Sequence, residues 1–324
     1  MSEEDNGFEN EPVVKNKNYF RYVWYSGLFL ASLFVFLLFT FPYGVVKETI
    51  IGDIAQATGL NIRVKDIGPA FPVGVGANGI KVSSQDNLAQ VELISADATV
   101  SVLSLLIGNV TIHAELVSKN KGVLHASVTY GLFQLIGGSS MVPNSVSLDS
   151  KGFELGPIVT LLLREKSKTA DELIKATMTQ IAFVGNLTGS ADIKLSASEP
   201  IQSTGTVDLK FEKSSLEFNI PNLNVARQVF DKALVKGTLD KGKLTIDQNS
   251  ALNSQELKVA FKGVSTLRNP FETSLLDFVI AIKLEGTLKD NFGVFMGFMG
   301  GNETGVNYKI NGSLSRPNMQ GSPN

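Results

Sequence analysis

One uninterrupted apolar run near the N-terminus constrains this chain more than any other feature. Val23 to Phe41 contains twelve Leu, Phe or Val residues, and no charged residue occurs between Arg21 and Lys47. As a helix rising about 1.5 Å per residue, these nineteen residues span roughly 28 Å, close to the thickness of a bilayer's hydrocarbon core. Aromatic residues at both ends suit the membrane interface. The run therefore predicts a transmembrane helix, which we assign to residues 19–41.

A cleaved signal peptide and a buried helix of a soluble domain are the alternatives to a permanent membrane helix. The run exceeds the apolar region of a typical signal peptide, and no small-residue cleavage site follows Phe41. A soluble helix would carry a polar face, which this run lacks. Basic residues cluster before the run, whereas only Lys47 lies close after it. The positive-inside rule thus predicts a disordered, cytoplasmic tail at 1–18 and an exported domain at 42–324.

The composition argues against several classes of function. The chain has 29 Lys and Arg against 31 Asp and Glu, without the clustered basic face that binds nucleic acid. It has no cysteine, which rules out disulfides, thiolate metal sites and cysteine nucleophiles. A cysteine-free exported domain agrees with the bacterial periplasm. We therefore expect no nucleic-acid partner and no cofactor.

A helical pattern follows the apolar run. Val46, Ile50, Ile54 and Ala57 are spaced by four, four and three residues, which places them on one face of a helix. Gly59 supplies a stop at its C-terminus. We expect this amphipathic helix to cap the β-rich domain that follows.

From Ile62 onward, the period of the apolar residues becomes two. In one such segment Val110, Ile112, Ala114 and Leu116 alternate with other residues, and clusters of Gly and Asn separate the segments. This alternation predicts a meander of antiparallel strands, apolar on one face and polar on the other.

A helical interlude is predicted near 156–181. Gly156-Pro157 opens a first helix, and Thr169 with Glu172 forms a capping box ahead of a second. These helices could close one half of the domain before the next strands begin.

Two further helices are expected in the second half of the chain. Asn224 predicts a short helix over 225–232. The apolar stretch 292–299 is interpreted as a helix lying on the sheet, and its alternative is a patch that faces a membrane or a partner.

One glycine motif invites a functional interpretation. Gly74-Val75-Gly76-Ala77-Asn78-Gly79 matches the dinucleotide-binding pattern G-x-G-x-x-G. That function requires a strand before the glycines and a helix that starts within them. Pro69 and Pro72 precede the motif and the strand-like Ile80 follows it, so we interpret it as a Gly-rich turn or bulge between strands.

The residues that usually carry chemistry form no recognisable site. His113 and His125 are the only histidines, and their separation within strand-like segments is not a metal-ligand spacing. We expect each on a solvated strand face. Asp171 and Glu172 suit the N-terminus of a predicted helix, and no nucleophile or phosphate-binding signature occurs. We predict no catalytic, cofactor-binding or metal-binding residue, and no enzymatic activity.

Short motifs of the chain resemble a known family. Phe41–Lys47 (FPYGVVK), Thr58–Leu60 (TGL), Pro69–Gly74 (PAFPVG) and the closing Gly312–Pro317 (GSLSRP) are similar to motifs of the GspN proteins. These are the N components of bacterial type II secretion systems, here in the longer form with a membrane anchor. That family is similar to the AsmA-like envelope proteins, which have long, curved sheets with an apolar inner face, some of them implicated in moving lipids.

The resemblance implies a mainly β fold, with an N-terminal transmembrane helix and an extended, curved antiparallel sheet carrying a few short helices. It places the anchor in the inner membrane and the β-rich domain in the periplasm. The first function it implies is a structural or assembly component of a type II secretion system, with the inner-membrane bilayer and other secretion-system proteins as partners. The second is a lipid-binding or lipid-transfer protein that holds phospholipid in an apolar groove. A closed core favours the first function, and a continuous open trough favours the second.

Overall fold

A computed structural model describes residues 43–137, 142–168, 179–196, 198–219 and 225–323, and single positions at 24, 25, 28, 29, 32, 36 and 175. The chain divides into two units, Met1–Pro42 and Tyr43–Asn324. The described positions of the first unit are helical and exposed. The remainder of the predicted span 19–41, and the predicted tail 1–18, lie outside the described residues. Within the described part of the chain, no helix combines the length and the apolar character needed to cross a bilayer.

One large antiparallel sheet forms the second unit, as the period of two predicts. Most of its strands pair with their neighbours along the chain. The strands are β1 (Asn61–Ala70), β2 (Gly74–Ser83), β3 (Gln90–Val100), β4 (Asn109–Ser118), β5 (Val123–Gly131), β6 (Ser145–Glu154), β7 (Ile181–Lys194), β8 (Thr204–Phe218), β9 (Gln228–Val229), β10 (Lys232–Asp240), β11 (Lys243–Ile246), β12 (Ala251–Asn253), β13 (Leu257–Thr266), β14 (Leu275–Leu284), β15 (Gly305–Ser313) and β16 (Arg316–Pro323).

Two positions of this sheet are occupied by broken strands. β9 and β10 both pair with β8. β11 and β12 each pair with both β10 and β13. The sheet is therefore fourteen positions wide. At about 4.8 Å between neighbouring strands, it extends roughly 60 Å across the strands.

Among the residues of the second unit that the structure describes, five α-helices connect or flank the strands. They are α1 (Tyr43–Thr58), α2 (Val102–Leu106), α3 (Leu132–Gly137), α4 (Gly156–Ser167) and α5 (Gly286–Phe298).

The helix predicted directly after the apolar run is confirmed as α1. Gly59 ends it with a φ of 70°, and its N–H donates to the carbonyl of Ala55. α1 contacts β1, but Ile54, on the predicted apolar face, is 44% exposed, whereas Ile51 and Ala55 are half-buried.

Other predicted helices have mixed outcomes. α4 confirms the first helix of the predicted interlude, and the capping box at Thr169 and Glu172 lies outside the described residues. α5 confirms a helix that packs on the sheet. The helix predicted over 225–232 is wrong, because none of these residues is helical, and β9 and the first residue of β10 lie within the range.

The reason for this error is a tertiary contact. The side chain of Gln228 is buried, where its Oε1 accepts hydrogen bonds from the Ser254 hydroxyl at 2.8 Å and the Glu256 N–H at 3.3 Å. Pairing of β9 with β8 then adds interstrand pairing that a local helix could not form. Helix propensity is a weak guide where such pairing competes.

Buried apolar side chains form two separate clusters. Ala89, Val91 and Leu161 form the first, against α4. The second joins α5 to the sheet and comprises Leu257, Leu284, Leu288 and Phe292.

Candidate functional site

The register of the sheet aligns apolar residues into one continuous row. Directly paired residues of an antiparallel sheet lie on the same face, so the pairings can be followed from strand to strand. One such path crosses the whole sheet and meets only apolar residues and glycine. We call it the open row: Pro69, Val75, Ala98, Ala114, Ala126, Leu148, Ala191, Val207, Gly237, Ile246, Gly263, Phe278, Ile310 and Met319.

The described part of the chain does not fully cover the side chains of the open row. Apart from the glycines, each is half-buried or exposed, and none falls in the buried class. Met319, at one end of the row, is 62% exposed. Apolar side chains in the core between two packed layers would instead be almost fully removed from water. The apolar face is thus open along this row.

One end of the strands on the same face is covered by α4. Leu93 pairs with Ser118, which shares a face of β4 with Ala114, so Leu93 belongs to the face of the open row. Ile158 and Leu161 of α4 pack against the cluster that contains Val91 and Leu93. α4 contacts both β3 and β7, and it therefore lies across the strand ends between them.

An ion pair fixes the far end of α4. Arg164 Nε lies 2.8 Å from Asp86 Oδ2 in the turn between β2 and β3. Hydrogen bonds from the Ser84 hydroxyl, from Arg164 and from the Leu88 N–H hold the pKa of Asp86 well below its usual range. The carboxylate stays ionised at neutral pH, so the contact persists there.

A second part of the same strand ends is covered by α5. Leu288 and Phe292 pack on Leu257 and Leu284, which pair with each other in β13 and β14. Leu257 alternates with Val259, Phe261 and Gly263, so this cluster also belongs to the face of the open row.

The N-terminus of α5 is capped by a distant side chain. Glu285, the residue before the helix, makes no side-chain cap. Glu256 instead accepts hydrogen bonds from the Thr287 hydroxyl at 2.7 Å and from the N–H groups of Thr287 and Leu288 at 3.2 Å. These hydrogen bonds lower the pKa of Glu256, and the bond from the Thr287 hydroxyl contributes most to the shift. The capping carboxylate comes from the turn before β13.

The opposite face of the sheet is polar and brings the two histidines together. His113 pairs with Ser127, and His125 pairs with Glu115 on the neighbouring strands. Both histidines are exposed, which confirms their predicted place on a solvated strand face. His125 Nδ1 lies 3.4 Å from Glu115 Oε2.

These side chains line an open depression of about 570 Å³ that also contains carboxylates. Asp97 and Asp149 extend the same polar row on either side. Among the described residues, no group of three His, Asp or Glu side chains is arranged to hold a metal ion. The depression therefore offers hydrogen-bonding groups without the geometry of a metal centre.

The glycine motif lies within a strand. Gly74 to Gly79 belong to β2, and Gly79 has a φ of 61°. A side chain at Gly76 would collide with the carboxylate of Asp97 at 2.3 Å. The prediction of a turn or bulge between strands is therefore wrong: the motif pairs with β1 and β3 as part of β2, and no helix starts within it.

Within the described part of the chain, the two outer strands of the sheet, β1 and β16, each pair on one side only. β16 contains Pro317 and Pro323, which have no N–H to offer to another strand, and β1 contains only Pro69. Strand addition by a partner would therefore meet fewer obstacles at β1.

Sequence reasoning named no functional residue, and it missed the open row. The alternation along each strand was readable, but the row exists only once the register joins residues as distant as Pro69 and Met319. No protein-family model, curated protein or solved structure matches the chain.

Proposed function

We propose that this is a membrane-anchored, non-catalytic protein of the bacterial envelope whose open row binds the acyl chains of phospholipids. The observation that carries this proposal is the exposure of the row. Apolar surface in water costs about 25 cal/mol per Å², and acyl chains would remove that contact. The row runs across all fourteen positions of the sheet, so it offers an apolar path rather than an isolated patch.

Curvature of the sheet supports the resemblance to AsmA-like proteins. Cα atoms of β1 and β3, and those of β4 and β6, approach within 8 Å. Strands two positions apart in a flat sheet lie about 9.6 Å apart. These close approaches support the proposal of a long curved sheet.

The anchor is part of this proposal. Trp24, Tyr25, Leu28, Phe29 and Phe36 are helical and more than 60% exposed, which suits contact with lipid. We assign the run to a single inner-membrane span with the N-terminus in the cytoplasm and the β-rich domain in the periplasm.

Site-specific photocrosslinking tests the acyl-chain proposal. p-Benzoylphenylalanine is placed at Leu148, Val207 or Phe278 in the full chain, in cells labelled with radioactive phosphate. We expect a phospholipid adduct at each of these positions. Thr206 is the matched control, because it neighbours Val207 in the sequence and lies on the polar face. Phe34, within the predicted span, is the positive control for labelling.

A charged substitution in the open row provides a second test of acyl-chain binding. Val207→Asp should abolish the adduct at Phe278, because a carboxylate in the apolar path opposes acyl chains. Thr206→Asp should leave it unchanged. The proposal fails if Phe34 gives an adduct while the three row positions give none, or if both substitutions have the same effect.

A second candidate is an assembly role in a type II secretion system, which the family resemblance implies. The unpaired edge of β1 favours it, because an exposed edge can accept a strand from a partner. Deletion of the gene separates the two functions. Impaired export of secreted proteins supports the assembly role, whereas normal export with altered outer-membrane permeability contradicts it.

A further inference from the structure

Three neighbouring connections at one end of the strands expose large apolar side chains. Because antiparallel hairpins alternate, the connections after β1, β3 and β5 lie at the same end of the sheet. This end is opposite to the one covered by α4 and α5. We call the exposed group the apolar tip: Phe71 (93% exposed), Leu103 (76%), Leu106 (78%), Ile107 (76%), Phe133 (81%) and Ile136 (75%).

Two polar side chains of the tip accept hydrogen bonds from backbone groups within it. The Ser101 hydroxyl accepts from the Ser104 N–H at 3.3 Å and caps α2, while Gln134 Oε1 accepts from the Gly131 N–H at 3.2 Å. The Leu132 N–H donates to the Gly108 carbonyl at 2.9 Å, which joins α3 to the end of α2. The tip is thus a connected structure whose outward side chains are apolar.

The segments that form the tip contain no charged residue, whereas the later connections at the same end of the sheet do. No Asp, Glu, Lys, Arg or His occurs between Asp97 and His113, or between His125 and Asp149. The later connections at the same end of the sheet carry exposed charges, with bases in excess of acids. The bases are Lys194, Lys241, Lys243, Arg268 and Arg316, and the acids are Glu199, Asp240 and Glu272.

We propose that the apolar tip inserts into the interfacial layer of the bilayer that holds the predicted anchor. Uncharged apolar side chains flanked by bases match an anionic lipid surface, where the bases meet headgroups and the apolar groups meet acyl chains. A specific protein partner would instead need about one hydrogen bond per 100–200 Å², and the tip's side chains offer little of that kind.

The length of the connection is compatible with the same bilayer. The predicted span ends at residue 41, and α1 begins at Tyr43. α1 has sixteen residues and measures about 24 Å, and a ten-residue strand such as β1 measures about 34 Å. No long linker therefore separates the predicted span from α1 in the sequence. This inference does not depend on acyl-chain binding by the open row.

Tryptophan fluorescence of the full chain tests the insertion. Trp24 is the only tryptophan, so Trp24→Phe provides a background without signal. Phe133→Trp is then introduced, and the protein is reconstituted in vesicles of phosphatidylethanolamine and phosphatidylglycerol. We expect blue-shifted emission that brominated lipid in the host vesicles quenches. Leu88→Trp is the control: Leu88 is 69% exposed in the turn between β2 and β3, at the other end of the strands, and should stay unquenched.

The remaining outcomes each overturn the proposal. Solvent-like emission of Phe133→Trp shows that the tip is not inserted. Quenching only by brominated lipid in a second, protein-free set of vesicles assigns the tip to another membrane. A blue shift that increases with protein density, and that occurs without quenching, indicates that the tip contacts a second copy of the chain.

A charge substitution gives an independent measurement. Phe71→Trp, in the same background, reports on the tip while Leu106→Glu and Phe133→Glu are added. All three positions are more than three-quarters exposed, so the fold should persist, and circular dichroism checks this. We expect loss of quenching at position 71. Unchanged quenching in the folded variant contradicts the proposal.

Discussion

The covered and open parts of the apolar face differ in what lies over them, although both arise from the same alternation along the strands. Leu257 and Leu284 are buried beneath α5, whereas Leu148 and Phe278 of the open row are only half-buried. α4 and α5 occupy one end of the strands and leave the middle of the face uncovered. The covered end therefore contributes to stability, and the open row is the surface that we propose binds acyl chains.

The largest contrast is expected from matched leucine truncations. Leu288→Ala removes a side chain that is 1% exposed within the second cluster and should lower the free energy of unfolding by about 2–5 kcal/mol. Leu148→Ala in the open row should cost roughly 1 kcal/mol, because less apolar surface leaves water there on folding. Urea denaturation of the two variants measures the difference. Equal losses would show that a hidden layer covers the row.

A smaller effect is expected where α5 is capped. Glu256→Ala removes the acceptor for the first N–H groups of the helix and should cost about 1 kcal/mol at neutral pH. In the folded protein the pKa of Glu256 lies below its ordinary value of 4.5. The contribution of its carboxylate to stability is therefore complete above pH 4.5. It is lost as the pH falls through the lower, folded-state pKa.

Denaturation of the wild type and Glu256→Ala across acidic pH checks this sign. The difference between them should shrink below pH 4.5. Glu303→Ala, which removes a carboxylate at an exposed position in the segment after α5, is the control. A difference that widens on acidification would contradict the capping role.

The smallest effect is expected from the ion pair of α4. Arg164→Met keeps the aliphatic stem and removes the contact with Asp86, so the loss should stay below about 1 kcal/mol. Leu161→Ala should destabilise the same helix more, because Leu161 is 6% exposed in the first cluster. A larger loss for Arg164→Met would mean that charge, and not apolar packing, holds α4 over the sheet.

The sequence predicted most elements of the sheet but not all of their boundaries. Ala96, Ala98, Val100 and Val102 alternate as strand residues would, whereas β3 ends at Val100 and α2 begins at Val102. A short apolar run fits a strand or a helix equally well by period alone. Leu132 to Gly137, which forms α3, carries the same ambiguity.

The candidate site was less accessible to prediction than the fold. Each of its residues is an ordinary member of an alternating strand, and no local motif distinguishes Ala114 from Ala260, which is in the same sheet but outside the row. The row is defined by long-range pairing, and its exposure is defined by where two helices stop. Neither property is encoded in a short window of sequence.

The sequence by itself determined that the strands have one apolar and one polar face, because side chains alternate along any β-strand whatever its neighbours are. It also determined the helix ending at Gly59 and the absence of thiol chemistry. Only the tertiary structure decided which apolar residues are covered. That outcome depends on contacts between residues far apart in the chain, such as Arg164 with Asp86 and Glu256 with Thr287, which place a helix over one end of the face and leave the rest open.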